Sequence, residues 1–275
     1  MRAFMTGAAG FVGSYLVSEL LDAGHHVLGL SRSDAGAEAL VRAGAQLLRG
    51  DVNELNRLRA AAAAADGVMH AAFNHDFSDM KRQSENDRKV IGALGEALAG
   101  SNRPLLIASG TGLARSKAGV PVTETDGHVS SSEFPRPATE EEADALIAKA
   151  GRVMVLRLSR AHDTRRQGRI ALHIQLARQK GRVAYVGEGR NRVPAVHVSD
   201  AVRLFQPVLE NGQAGARYRA VAGEDVALRD IAEVIGAGLN MPVEPIAPAD
   251  AAEYLGSLAP LAMLDLAASN ALTCQ

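Results

Sequence analysis

Short apolar runs alternate with amphipathic stretches along the first part of the chain. Runs at residues 3–6, 26–31, 46–50, 68–73, 105–109 and 153–159 have the length and content of strands buried on both faces. Between them, Val12, Leu16, Leu20 and Leu21, and then Leu55, Leu58 and the alanine run 60–65, recur at helical spacing. Strand followed by helix, repeated, predicts an α/β chain with a doubly wound parallel sheet. After about residue 160 the rhythm breaks. Residues 160–169 are polar and read as a loop, and 186–192 read as a glycine-rich turn. Helices are predicted at 201–210 and 228–239, and PVEPIAPAD puts three prolines before a last short helix. With no internal repeat or linker, the second part is expected to be woven onto the first. Residues 1–160, with additions from about 193–222, form the larger part, and 161–192 with 223–275 form a smaller region.

The first strand leads directly into TGAAGFVG, residues 6–13, which also open the first helix. Gly7 permits a tight turn, Gly10 lets the backbone approach a pyrophosphate and Gly13 lets helix pack on strand; Ala9, Phe11 and Val12 complete the loop. The second strand ends in Ser31 and Arg32. An NAD-preferring fold puts a carboxylate there, whereas serine and arginine suit a 2'-phosphate, so NADP is expected before NAD. The other account of Arg32 is a solvent-facing strand end. Asp51, with Val52 after it, is placed to accept from an adenine amino group or is simply an acidic turn residue.

Composition narrows the classes. Hydrophobic residues are 47% and charged residues 22%, with a formal net charge of -1, so nothing draws the whole chain to nucleic acid or an anionic membrane. A local excess of Lys and Arg between residues 152 and 192, balanced by the acids of 124–144, reads as a solvated face. The single cysteine, Cys274, cannot form an internal disulfide. The N-terminus lacks a basic region followed by a long apolar run, and no stretch reaches about 18 consecutive apolar residues. These features predict a soluble, cytoplasmic protein. His70, His75, Asp76 and Asp79 match no metal-ligand spacing, and no metal is expected.

TGAAGFVG, GDV at 50–52, HAAF at 70–73, ASGT at 108–111 and PAVHVSDA at 194–201 together resemble the extended short-chain dehydrogenase/reductase superfamily, in its NAD-dependent epimerase/dehydratase and 3-beta-hydroxysteroid-dehydrogenase-like branch. The likeness is clear to about residue 205 and weaker beyond. It implies a Rossmann sheet with a small C-terminal substrate-binding region, bound NADP or NAD, a small-molecule substrate, and a homodimer formed by two helices from each subunit. It places Ala71, Ala72 and Phe73 beside the cofactor ribose, and implies a further short stretch after a segment like SNALT, 269–273.

The resemblance also implies a Tyr-x-x-x-Lys pair, whose lysine holds the ribose and lowers the phenol pKa. The sequence has none. Its tyrosines, Tyr15, Tyr185, Tyr218 and Tyr254, are followed four positions on by Glu19, Gly189, Ala222 and Leu258. Counting from ASGT, the pair's place falls in FPRPATEEE, with Arg136 at the tyrosine position and Glu140 at the lysine position. Two accounts of this stretch stand. In one, Arg136, with a pKa above ~12 and so no general acid, grips a substrate carboxylate or carbonyl, while Glu140 accepts from ribose hydroxyls. In the other the stretch is a helix start, with Pro137 at the entry, a Thr139–Glu142 capping box and first-turn acids that favour the helix dipole.

Ser109 and Thr111 flank Gly110 at a strand's C-terminal end, where ligands of such sheets bind; Thr111 is better placed by register to orient a substrate oxygen. His162 and His197 are the histidines expected near the cleft, His162 as a proton source. Two functional classes follow. One is an NAD(P)-dependent oxidoreductase, NADP-preferring, acting on a small carbonyl or alcohol with a donor other than tyrosine. The other is a non-catalytic NAD(P)-sensing protein of the NmrA-like kind. An NAD-dependent epimerase or dehydratase is a third option, disfavoured because those reactions also use the missing tyrosine.

Overall fold

The computed structural model describes residues 1–74, 79–117, 119–168 and 170–274, apart from the side chains of Ser257 and Leu261. His75, Asp76 and Arg169 lie outside the described residues. In chain order the first elements are β1 (Arg2–Thr6), α1 (Phe11–Asp22), β2 (His26–Ser31), α2 (Asp34–Arg42), β3 (Gln46–Arg49), α3 (Leu55–Ala64), β4 (Gly67–His70), α4 (Met80–Leu98), β5 (Leu105–Gly110), α5 (Ala138–Ala148) and β6 (Val153–Leu158). There follow β7 (Arg160–His162), α6 (Ile170–Lys180), β8 (Val183–Val186), β9 (Arg192–His197), α7 (Val198–Arg203), α8 (Phe205–Asn211), β10 (Arg217–Ala220), β11 (Gly223–Ala227), α9 (Leu228–Leu239), β12 (Val243–Ile246), α10 (Ala251–Leu255) and α11 (Ala259–Ala262).

Two units are present. The larger, Met1–Arg115, Gly127–Leu158 and Val198–Ala220, holds a seven-stranded sheet in the order β10-β6-β5-β4-β1-β2-β3. Its pairings are parallel throughout, the doubly wound arrangement expected from the alternating pattern. The chain steps outward from β1 to β3 and then returns to β4 on the other side of β1, so the order reverses between β1 and β4. That reversal is where open α/β sheets offer a crevice at their strand C-termini. β4 is buried along its whole length, because helices cover both faces. Val90, Ile91, Leu94 and Leu98 of α4 join Phe4, Leu58, Val68, Ile107 and Val155 in the core. The N-terminal half of the same helix buries Gln83, Ser84 and Asp87, polar groups that need partners there.

The smaller unit, Ser116–Asp126, Ser159–His197 and Val221–Gln275, holds a three-stranded sheet, β11-β9-β7, and the parallel pair β12-β8. Ala184, Val193, Leu228, Ile246, Tyr254 and Leu255 form its core. The glycine-rich turn expected at 186–192 lies between the strands β8 and β9. Two local expectations are corrected. The polar segment after residue 159 carries a strand, β7, because its backbone pairs in parallel with β9. In addition, α5 begins behind Pro137 with no side-chain cap, and Thr139 lies inside the helix with its hydroxyl turned to Asp87, not to the helix end. Among the described residues, no helix is long and apolar enough to cross a membrane.

Candidate functional site

The turn between β1 and α1 is built by close approach. Gly7 has φ +73°, and a Cβ there would lie 2.6 Å from backbone atoms of Ala71 and Ala72; at Gly13 a Cβ would lie 2.0 Å from the Gly7 oxygen. Gly10 N donates to Gly7 O, and Gly10 O accepts the first helical bond from Ser14, both at 2.9 Å. Gly10 caps α1 without a side chain and no acid stands in the first turn. The end of this helix is therefore a rim of backbone N-H groups with partial positive charge and no competing carboxylate. Such a rim fits the pyrophosphate of a dinucleotide.

At the neighbouring strand end, Ser31 is buried and its Oγ donates to Ser33 O at 3.2 Å, while Ser33 caps α2 by accepting from Gly36 N. Gly36 brings α2 against the loop, since a Cβ there would meet Ser31 Oγ at 2.5 Å and Ala9 Cβ at 2.9 Å. Arg32 is exposed, with Nη1 3.5 Å from Asp51 Oδ2. Asp51 Oδ1 accepts from the backbone and side chain of Asn53. Val52 packs against the core as a partly buried residue.

Where β1 and β4 end side by side, Thr6 and His70 are register partners. Thr6 Oγ1 lies 2.8 Å from His70 Nδ1, and His70 Nε2 lies 2.9 Å from Asp87 Oδ1. Asp87 Oδ2 receives Arg136 Nη1 at 3.1 Å and the Thr139 hydroxyl. The Arg136 guanidinium stacks over the Phe73 ring, 3.8 Å from its centroid. Burial pushes the Asp87 carboxyl upward, but Arg136 and His70, with hydrogen bonds from His70 and Thr139, outweigh it and hold the group below its usual range. Burial also lowers the Arg136 guanidinium, against the attraction of Asp87 and Glu140. Arg136 thus joins a buried polar chain that begins at the root of the glycine loop.

A second cluster stands at the ends of β5, β6 and β10. Glu140 is fully buried; its carboxylate receives Arg157 Nη2 at 2.7 Å, Ser109 Oγ at 2.7 Å and Arg217 Nε at 3.1 Å. Burial raises the Glu140 carboxyl, and the Arg157, Ser109 and Arg217 contacts overcome this and lower it. The expectation of a ribose acceptor at Glu140 thus meets a carboxylate already engaged within the protein. Ser109 spends its hydroxyl on the same carboxylate. Thr111, buried at the start of a single helical turn after β5, makes no side-chain hydrogen bond among the described residues.

In the smaller unit, His162 and His197 are register partners on β7 and β9, their rings edge to face at 5.9 Å. His162 Nδ1 lies 3.1 Å from the Arg160 carbonyl oxygen. Sequence reasoning missed Asp87, Arg157 and Arg217. The signal for Asp87 was a polar residue on the stripe of α4 that carries Val90, Ile91 and Leu94; for Arg157 it was a charge inside an apolar strand run.

A doubly wound parallel sheet whose first strand opens into a glycine cradle at a helix N-terminus defines a Rossmann-type α/β protein. Residues 3–222 match the NAD dependent epimerase/dehydratase family, and the chain belongs to that family. It is 39% identical over 278 residues to an uncharacterized protein of Schizosaccharomyces pombe, taking in 100% of this chain and 93% of that one. It is 38% identical over 262 residues to an uncharacterized protein of Saccharomyces cerevisiae, taking in 94% and 87%. In structure it matches the UDP-glucose 4-epimerase of Thermus thermophilus, solved in complex with NAD, at TM-score 0.76 and 20% identity over 100% of this chain and 92% of that one. At that identity the likeness is one of fold.

Proposed function

We propose that the protein is a nicotinamide-dinucleotide-dependent oxidoreductase acting on a small carbonyl or alcohol, with NADP preferred to NAD. The observation that carries this reading is the glycine cradle, where a Cβ at Gly13 would collide with Gly7 O at 2.0 Å. Gly7, Ala9, Gly10, Phe11, Val12 and Gly13 would hold the pyrophosphate. Ser31 and Arg32 would take the 2'-phosphate, Asp51 and Val52 the adenine, and Ala71, Ala72 and Phe73 the ribose on the nicotinamide side. When bound, the nicotinamide supplies hydride exchange with the substrate carbon.

The chain's own residues do the rest. Thr111, with its hydroxyl unspent at the end of β5, orients the reacting oxygen. Arg136, at the place of the family's tyrosine, holds the substrate but stays protonated, so the proton comes from water. Support for the NAD(P)-sensing alternative rests on the absence of Tyr-x-x-x-Lys from the sequence. Calorimetric titration with NADPH and NADH, followed by NADPH consumption across aldehydes, ketones and 2-keto acids, separates the two. Binding with turnover that Thr111→Val abolishes is the expected result. Tight binding with silence across the panel moves the protein to the sensing class, and no binding of either dinucleotide ends both readings.

A further inference from the structure

Arg136 is anchored at one end and open at the other. Both of its hydrogen bonds, to Asp87 and to Thr139, leave from Nη1, and the guanidinium face rests on Phe73. The side chain keeps 16% of its surface exposed. Nε and Nη2 make no hydrogen bond among the described residues. The Nε-H and the adjacent Nη2-H run parallel, with the spacing that receives two coplanar oxygens side-on.

The anchor itself is built in depth. Asp87, ionised, must receive a proton donor from His70 Nε2 across 2.9 Å. The ring's other nitrogen, Nδ1, lies 2.8 Å from Thr6 Oγ1. Thr6 immediately precedes Gly7, so the chain Thr6–His70–Asp87–Arg136 spans the point where the strand order reverses.

We propose that Arg136 binds a substrate carboxylate through its Nε/Nη2 edge, and that Thr6, His70 and Asp87 are positioning residues that hold this edge in place. The acid class follows from the donor set. A lone carbonyl oxygen uses one of the two parallel N-H groups and leaves the other unspent. A phosphate dianion meets the Asp87 carboxylate, which already offsets the single positive charge of Arg136. A planar monoanion suits both the fork and the charge. With the oxidoreductase reading, on which only the fate of the bound acid rests, the substrate class becomes small carbonyl compounds that also carry a carboxylate, such as 2-keto acids.

The test is nuclear magnetic resonance of isotope-labelled full-length protein, observing the Arg136 Nε-H signal, assigned by its loss in Arg136→Lys. Acetate, pyruvate, acetone and inorganic phosphate are the probes. Acetate and pyruvate are expected to shift the signal saturably, and acetone and phosphate to leave it in place. Asp87→Asn, which removes the charge that offsets Arg136, is expected to let phosphate shift the signal as well. Thr6→Val, which removes only the far hydroxyl, is expected to weaken the acetate response and Thr6→Ser to restore it, with melting temperatures confirming that each variant is folded. No response to acetate or pyruvate, an equal response to acetone or phosphate in the unaltered protein, a phosphate response still absent in folded Asp87→Asn, or an unchanged acetate response in folded Thr6→Val overturns the proposal. Calorimetry with NADPH on the same samples reports the oxidoreductase reading separately: acetate binding without dinucleotide binding removes that reading and leaves the carboxylate site standing.

Discussion

Arg157 Nη2 lies 2.7 Å from Glu140 Oε2, and neither side chain reaches solvent. In such a pair the desolvation cost is met only while both charges remain. Glu140→Gln or Arg157→Met alone is expected to destabilise the protein by about 3–5 kcal/mol. The double variant Glu140→Leu with Arg157→Met should recover most of that loss, although Arg217 then loses Glu140 and keeps Asp144 as its partner. Urea denaturation of the three variants measures this, and simple additivity of the two single losses would refute the account of a mutually dependent pair.

Acid should weaken the larger unit through Glu141. Burial pushes its carboxyl upward, but Arg88 at 2.5 Å and the Ser131 backbone and hydroxyl at 2.7 Å prevail, lowering it from 4.5 to about 2. A carboxylate held below its unfolded value contributes stability above the unfolded pKa and loses it as pH falls through the folded one. Glu141→Gln is therefore expected to cost roughly 1–3 kcal/mol near neutrality. That difference should shrink across the interval from 4.5 down to about 2. Denaturation curves at several pH values check it, and a difference independent of pH would point to lost packing instead.

Gly13→Ala places a methyl group 2.0 Å from Gly7 O, a backbone atom that cannot step aside. Loop and helix must separate for it to fit, so binding of NADPH and NADH is expected to be lost together. Calorimetry on the folded variant decides, and retained affinity for either dinucleotide would mean that the cradle holds something else.

Arg32 Nη1 lies 3.5 Å from Asp51 Oδ2, and the side chain is largely exposed. An ion pair of this kind adds little to stability, so Arg32→Ala should leave the melting temperature alone. If its charge serves a 2'-phosphate, affinity for NADPH should fall roughly tenfold while that for NADH barely changes. Parallel losses for both dinucleotides would withdraw the preference for NADP.

How far the fold was legible depended on where each element is buried. Strands enclosed on both faces by helices are short apolar runs, and β1, β2, β4, β5 and β6 stood out as such, while the edge strand β3 shows only the pair Leu47 and Leu48. The strands of the smaller unit carry no such mark. β11 is GEDVA, without a buried residue, and β9 contains Pro194, which ordinarily argues against an inner strand. The proline is tolerated because the pairing with β11 shifts register between Gly223 and Val226, opposite that position. At the site, the glycine cradle could be read from spacing alone, whereas the partners of Arg136 could not. His70, Asp87 and Arg136 are far apart in sequence; β4 beside β1 sets His70 against Thr6, and the packing of α4 on α5 brings Asp87 to Arg136 and Thr139.

Replacing a phenol by a guanidinium also changes what the proposed chemistry answers to. A tyrosine can lend a proton and take it back. Arg136, stacked on Phe73 and tied to Asp87, has no accessible uncharged form with which to do either. Solvent must then deliver the proton when a ketone is reduced and carry it off when an alcohol is oxidised. The acidity of the medium, in place of a side chain's own titration, would set the balance between the two directions.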